Sequence, residues 1–169
     1  MEENFEISIL DKKEDMVLVE WFARRVWTEH YSPIVGFPQV RYMLDKYQTA
    51  QRIWGDIAEG GYTYYIVRYE SEIIGYCAVK PDDTEGLFLS KLYVEKDFRG
   101  RGISRKIINM LSEICKNQCH KYIWLTVHKK NTDSIKAYHK MGFYVAEEVV
   151  TDIGEGFFMD DYRMKMDIV

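Results

Sequence analysis

The segment LSKLYVEKDFRGRGISRKIINML (residues 89–111) changes its period halfway along. Leu87 to Val94 is a run of β-favouring residues that reads as a strand, and it ends in the loop Glu95-Lys96-Asp97-Phe98. From Ile103 the apolar residues recur at helical spacing: Ile103, Ile107, Met110, Leu111 and Ile114. Between strand and helix lie Arg99, Gly100, Arg101, Gly102, Ser104, Arg105 and Lys106. A helix N-terminus carries about half a positive charge and favours Asp or Glu. A turn that gathers arginines there lacks its counter-charge, and an anionic ligand would supply it. Glycines allow close backbone approach, first-turn N–H groups point outward, and guanidinium groups fork onto phosphate oxygens. These are the components of a pyrophosphate site; a solvated basic surface with two loop glycines is the plainer alternative. A dinucleotide fingerprint would need a small residue where Arg105 stands, and a P-loop would need Gly-Lys-Ser/Thr after four intervening residues.

Working outward, Phe5 to Leu10 alternates as a short strand, and Met16, Val19, Phe22, Ala23 and Val26 form the stripe of a helix that should fail near Tyr31-Ser32-Pro33. A second helix begins after Pro38, carries Met43, Tyr47, Ala50, Trp54 and Ile57, and stops at Gly60-Gly61. Tyr62 to Tyr69 and Glu72 to Val79 read as a hairpin about Glu70-Ser71. Lys121 to Val127 is a strand, and Asn131 or Thr132 opens a helix through Ile135, Tyr138 and Met141 that Gly142 ends. Phe143 to Val150 and Phe157 to Met166 are the last strands. The order is β α α β β β α β α β β, an α/β class with a mixed sheet and helices on its faces. Neither linker nor repeat interrupts it, so one domain spanning residues 1–169 is expected.

Composition narrows the function. With 47% hydrophobic and 15% aromatic residues, the chain can bury a core without disulfides or structural metals. A formal charge of −4 argues against a phosphate-backbone binder, so no nucleic acid is expected. No apolar run approaches the roughly 18 to 20 residues that span a bilayer, and MEENFEISIL lacks a signal-peptide pattern. No membrane association and a cytoplasmic location are therefore expected. Cys77, Cys115 and Cys119 read as reduced thiols. Cys115 and Cys119 with His120 lack a second ligand pair, so no metal is expected.

Two motifs then converge. Arg99-Gly100-Arg101-Gly102-Ile103-Ser104 resembles the Gln/Arg-x-x-Gly-x-Gly/Ala signature of the GCN5-related N-acetyltransferases (GNAT), with Ser104 in place of the final small residue. Asn131 to Phe143 resembles that family's N-x-x-A/S-x-x-x-Y-x-K-x-G-F pattern, at the family's separation from the first. The resemblance implies a central, mostly antiparallel sheet of about seven strands with four helices, the fourth and fifth strands splayed to admit the pantetheine arm of acetyl-CoA. By position Leu92, Tyr93 and Val94 would contact that arm, and the Leu92 or Val94 amide would polarise the thioester carbonyl. The turn containing Arg99, Gly100, Arg101, Gly102, Ile103, Ser104 and Arg105 would take the pyrophosphate. Asn131 and Ser134 would touch the pantetheine end, and Tyr138 would protonate the leaving thiolate.

The resemblance implies an acetyl-CoA-dependent N-acetyltransferase, with no metal, acting by direct attack in a ternary complex. Many members carry a glutamate in the fourth strand, whereas Phe88 and Ser90 stand at the two positions where it would be sought. Glu85, Glu29, His30 and His128 are the remaining bases, and Cys77 would serve only in a ping-pong scheme. Acidic Asp152, Glu155, Asp160 and Asp161, with aromatic Trp27, Tyr31, Phe37, Tyr42, Tyr47 and Trp54, suit a small cationic amine as acceptor. QVRYMLDKY and FFMDDYRMKMDIV resemble the bacterial spermidine/spermine acetyltransferase branch, which makes a polyamine the first choice. A peptide or protein amine, and a non-catalytic acyl-CoA sensor, are the alternatives; a homodimer is left open.

Overall fold

A computed structural model describes Asn4–Val169. Its elements are β1 (Glu6–Ile9), α1 (Lys13–Val35), α2 (Phe37–Tyr47), α3 (Ala50–Ala58), β2 (Thr63–Tyr69), β3 (Glu72–Pro81), β4 (Gly86–Val94), α4 (Ile103–Gln118), β5 (Tyr122–His128), α5 (Thr132–Lys140), β6 (Tyr144–Gly154) and β7 (Phe157–Asp167), with a 3-10 turn at Lys96–Phe98. The strands make one mixed sheet in the order β1-β2-β3-β4-β5-β7-β6. The β4–β5 pair is parallel, and β1–β2, β2–β3, β5–β7 and β6–β7 are antiparallel. The chain divides into two compact units, one taking the residues up to Lys80 and Lys91–Ile107, the other Pro81–Ser90 and Ile108–Val169.

In the first unit α1 buries Met16, Val19, Phe22, Ala23, Val26 and Trp27, the stripe its spacing demands. The helix continues past the expected stop and carries Pro33 inside it. A proline this near the end forfeits only the bond to the carbonyl of residue 29, and Gly36 (φ 87°) terminates the helix with its N–H on the Ser32 carbonyl.

The single helix expected after Pro38 is two, which makes five α-helices among the described residues rather than four. Gln48 (φ −129°, ψ 26°) leaves the helix, and its fully buried amide bonds Tyr76 and Tyr64. Thr49 then caps α3 by accepting from Arg52 N–H at 3.1 Å. A buried amide must find partners, and the tyrosines of the neighbouring strands outcompete helix continuation. The β2–β3 hairpin turns at Glu70 (φ 47°) and Ser71 (φ 73°), two consecutive left-handed residues as a primed turn requires.

In the second unit β7 lies between β5 and β6, antiparallel to both, and the buried side chains include Ile123, Leu125, Val127 and Met164. The opposite face of β5 carries rings under cations: the Arg163 guanidinium lies 4.1 Å from the Trp124 ring and Lys165 Nζ 3.9 Å from that of Tyr122. Trp124 also stacks on Phe88 at 4.1 Å, where Gly86–Phe88 of β4 registers with Tyr122–Trp124.

Entry into β4 is fixed by one carboxylate. Asp82 Oδ1 accepts from the N–H groups of Thr84 and Gly86, both at 2.8 Å, and from Thr84 Oγ1 at 3.0 Å, while Oδ2 accepts from Trp124 Nε1 at 2.7 Å. Burial pushes the Asp82 pKa up, but these hydrogen bonds outweigh it and hold the carboxyl below its ordinary value. Asp82→Ala should therefore cost about 2–4 kcal/mol, by removing charged acceptors from several donors at once. The sign follows from the lowered pKa: the contribution is present above the ordinary aspartate range and lost as pH falls through the folded value. Thermal melts at pH 7 and at pH 3 check both points, since the gap between wild type and variant should narrow in acid.

Candidate functional site

The first unit carries the basic turn and the end of β4. Glu95 N–H reaches the Ile74 carbonyl at 2.7 Å, and Glu95 caps the 3-10 turn through its own side chain. Phe98 of that turn packs with Tyr69 at 5.4 Å and Phe5 at 6.3 Å between centroids, an aromatic footing for the exposed loop that succeeds it. Arg99 Nε donates to the Val94 carbonyl at 3.0 Å, clamping the turn to the strand. Arg101 lies over the Phe98 ring at 4.8 Å and Lys106 over Phe5 at 5.6 Å.

Gly100 (φ 77°) and Gly102 (φ 79°) are both left-handed, and a Cβ on either would project into open space. Their requirement is conformational rather than steric, because an L side chain is strained at such φ. Lys106 N–H closes the first helical bond, onto the Gly102 carbonyl at 2.9 Å. The N–H groups of Ile103 and Ser104 precede that bond and have no acceptor within the helix. α4 has no acidic residue in its first turn. Ile103 is buried at 2% exposure, so only its backbone, not its side chain, is offered to a ligand.

Gly75 of β3 supports the end of β4 in a way the sequence does not disclose. A Cβ there would stand 2.8 Å from the Tyr93 carbonyl and 3.6 Å from Val94 Cα, so only glycine admits this approach. Tyr93 itself joins a cluster with Trp27 (5.1 Å), Tyr76 (5.6 Å) and Tyr31, whose hydroxyl lies 3.0 Å from that of Tyr93. Beneath it runs a buried polar chain: Trp27 Nε1 donates to Tyr76 OH, Tyr76 OH to Gln48 Oε1, Gln48 Nε2 to Tyr64 OH, and Tyr64 OH to Asp56 Oδ2. Lys91 Nζ lies over the Tyr62 and Tyr64 rings at 5.6 and 5.8 Å; burial draws its pKa down to about 8.

The aromatic residues read as one acceptor lining separate in the structure. Trp27 and Tyr31 reach Tyr93, Tyr42 and Tyr47 pack on Lys46, Trp54 lies under Lys13, and Phe37 is exposed. Helical side chains four apart share a face, but the break at Gln48 takes the residues of α3 out of register with those of α2.

The second unit carries Asn131, Ser134 and Tyr138. Asn131, 5% exposed, begins α5 with its N–H on the His128 carbonyl at 2.8 Å, and its carbonyl takes Ile135 N–H at 3.1 Å. Asn131, Ser134 and Tyr138 succeed one another at helical spacing along one face. The Tyr138 ring packs edge-on to Phe143 at 5.5 Å, and Phe143 N–H returns to the Tyr138 carbonyl. Gly142 (φ 105°) makes that return possible.

Of the bases considered, Glu29 lies 3.9 Å from Lys96, His30 packs on Tyr31, and Glu85 (φ 68°) is a turn residue whose carbonyl takes Lys121 N–H. His128 Nδ1 accepts from Lys130 N–H at 3.1 Å, and burial lowers its pKa. That bond uses the lone pair a base would need and fixes the proton on Nε2. The Cys77 thiol is buried and pushed up to about 12, which removes it as a nucleophile at neutral pH. No helix among the described residues is long and apolar enough to cross a membrane.

The comparisons with known proteins agree with this architecture. An uncharacterized N-acetyltransferase from the pepI 3′ region of Lactobacillus delbrueckii subsp. lactis is 24% identical over 119 residues, 66% of this chain and 69% of that protein. The uncharacterized N-acetyltransferase YjgM of Escherichia coli K12 is 26% identical over 89 residues, 51% and 53% of the two chains. The PaiA N-acetyltransferase of Thermoplasma acidophilum, solved in complex with coenzyme A, superposes with a TM-score of 0.82 at 20% identity, over 97% of this chain and 99% of that one. A GCN5-related N-acetyltransferase of Rhodopseudomonas palustris superposes at 0.81 with 13% identity, covering 99% and 98%. The profile of the Acetyltransferase (GNAT) family matches residues 23–143, a span that contains the glycine turn, all of α5 and Phe143, and the chain belongs to that family.

Proposed function

We propose that this acetyltransferase moves the acetyl group of acetyl-CoA to a primary amine by direct attack in a ternary complex, with a small cationic amine, a polyamine first, as acceptor. The observation that carries the reading is the Gly100–Gly102 turn: two left-handed glycines with open space beside them, at the N-terminus of a 16-residue helix that has basic side chains and no acid in its first turn. Such a terminus stabilises phosphate oxygens through backbone N–H groups and fixed partial charge.

In this reading Arg99, Gly100, Arg101, Gly102, Ile103, Ser104 and Arg105 hold the pyrophosphate, Ile103 through its backbone. Leu92, Tyr93 and Val94 meet the pantetheine arm, as do Asn131 and Ser134. The Leu92 or Val94 N–H stabilises the developing oxyanion. Tyr138 protonates the departing sulfur, a task for which a phenol, with a reference pKa near 10, is suited. The brevity of the β4–β5 ladder, Gly86–Phe88 against Tyr122–Trp124, supports a fork that admits the arm. In this reading residues 1–169 are one N-acetyltransferase domain, and the free thiols fit a cytoplasmic protein. A sensor without catalysis is favoured by one observation: Phe88 is stacked on Trp124 and Ser90 carries no acid, so β4 supplies no carboxylate at those positions. Release of free CoA with an amine panel separates the two, and an acetyl-CoA-binding protein that releases none with any amine would be the sensor.

Acetyl-CoA should raise Tm, since a ligand that binds only the folded chain stabilises it by mass action; no shift at millimolar ligand would remove the cofactor assignment. Arg101→Ala should raise the KM for acetyl-CoA with kcat little changed, and added salt should shrink the difference. Arg99→Ala should do the same and lower Tm as well, because it loses the tether to Val94.

Tyr138→Phe should leave acetyl-CoA affinity and folding nearly intact, since the ring still packs on Phe143, and should lower the single-turnover rate with a cationic amine at least roughly tenfold. Single turnover reads the transfer step rather than CoA release. A wild-type rate would make Tyr138 structural.

A further inference from the structure

Among the described residues two buried side-chain atoms lack a hydrogen-bond partner, Ser32 Oγ and Asp161 Oδ1, and of the two only Asp161 can carry a charge. The residue is 7% exposed, and its Oδ1 is sealed from solvent without a hydrogen-bond partner. A buried charge that lacks partners is costly, and such sites are retained where a ligand supplies the missing group. Asp161 stands in β7 directly opposite His128, the last residue of β5, and opposite Val149 of β6. Directly opposed residues of antiparallel strands point to the same face, so Asp161 and His128 share one.

That end of β5 is where α5 departs. Lys129 N–H binds the Asp160 carbonyl at 3.0 Å and Asn131 N–H the His128 carbonyl at 2.8 Å, fastening the β5–α5 turn to β7 beside Asp161. It is also the carboxyl end of a strand in the parallel pair, where open α/β sheets place their ligands.

The neighbouring charges leave a cation missing. Lys129 Nζ is already shared between Asp160 Oδ1 and Glu148 Oε2, both at 2.8 Å. Arg163, the next residue of β7 on this face, is held by Glu147 at 3.0 Å. Lys130 is exposed and its N–H faces His128 Nδ1. Burial lowers the His128 pKa, which keeps the ring neutral at pH 7. Lys129 is thus taken by Asp160 and Glu148 and Arg163 by Glu147, and no cation is left on Asp161 Oδ1.

We propose that Asp161 receives the ammonium group of the acceptor amine and takes its proton, serving as the general base of acetyl transfer. This rests on the acetyltransferase reading above and supplies the base that β4 lacks at Phe88 and Ser90. Burial and the adjacent Asp160 raise the Asp161 pKa to about 6, so the group is mostly ionised at pH 7 yet holds a proton better than a solvated aspartate. In the step, an ammonium N–H bond breaks and its proton passes to Asp161. The freed lone pair forms the N–C bond as the C–S bond breaks. Sulfur takes a proton from Tyr138, which is replenished by the second proton of the attacking nitrogen. An ammonium and acetyl-CoA thus give an amide, the CoA thiol and one proton, which Asp161 returns to solvent.

The test is single turnover of spermidine by wild type, Asp161→Asn and Asp161→Glu from pH 5 to 10, with acetyl-CoA affinity measured by calorimetry. Asp161→Asn should bind acetyl-CoA as wild type does, lose about 10²- to 10⁴-fold in rate at pH 7, and recover as pH rises and the free amine accumulates. The wild-type limb near pH 6 should vanish in Asp161→Asn and persist, shifted, in Asp161→Glu. A wild-type rate and limb in Asp161→Asn would overturn the proposal, as would a loss constant across pH that Asp161→Glu does not relieve. If wild type binds acetyl-CoA but acetylates neither spermidine nor any other amine of the panel, the acetyltransfer reading itself falls. An active wild type beside an unaffected Asp161→Asn removes only the base.

Discussion

The most constrained backbone of the first unit is the start of α4, where two left-handed glycines precede a first turn without an acid. A helix normally covers its leading N–H groups with a side-chain cap or an acidic first turn. Here Gly102 occupies the cap position, and the residues around it are basic. Two left-handed glycines aim the backbone, and glycine loses more conformational entropy on ordering than other residues. That cost needs an anchor, and the turn has three: the Arg99 bond to Val94, the Phe98 footing on Tyr69 and Phe5, and the Glu95 N–H on β3. The glycine turn is exposed yet held where it begins, so its backbone is set before the helix starts.

The same logic explains Gly75 and Asp82, which frame β4 from its two ends. Gly75 lets β3 press against the Tyr93 carbonyl, and Asp82 gathers Thr84, Gly86 and Trp124 where the strand begins. A strand expected to offer backbone groups to a ligand is thus held by its neighbours' backbones and one carboxylate, not by its own cross-strand side chains alone.

Much of this was legible in the sequence because period and punctuation are local properties. The seven strands, the stripe of α1 and the glycine turn all declare themselves within a window of ten residues or so. What was not legible depends on partners far along the chain. Gln48 looks like one more polar helical residue until Tyr64 and Tyr76 claim its amide, and Pro33 looks like a stop until its place in the final helical turn makes it cheap. The aromatic residues of the first three helices share a composition but not a surface. In the sequence Asp161 is one acid of a group with Asp152, Glu155 and Asp160; its burial and its unbonded oxygen are set by β5 and β6.

Two ionisable groups shifted by desolvation, half-buried Lys91 and buried Asp161, make the relation between stability and function measurable. Burial lowers the Lys91 pKa to about 8 and raises that of Asp161 to about 6, so the folded chain resists both charges in the interval between those values. For Asp161 the folded pKa lies above the unfolded one, so the native state binds more protons between about pH 4 and 6 and stability falls across that window, by on the order of 2 kcal/mol. For Lys91 the unfolded state binds more protons between about pH 8 and 10, so stability rises there. Asp161→Asn should consequently melt near wild type at pH 4 and several degrees above it at pH 7, whereas the gap between Lys91→Met and wild type should shift in the variant's disfavour from pH 7 to pH 10. Melting curves of the three proteins across this range check the signs directly. A neutral-pH gain in Asp161→Asn would identify the carboxylate as a group the fold tolerates against its own stability, the signature expected of a residue kept for chemistry. No gain would mean that the carboxylate is satisfied in the folded chain and that its burial carries no penalty.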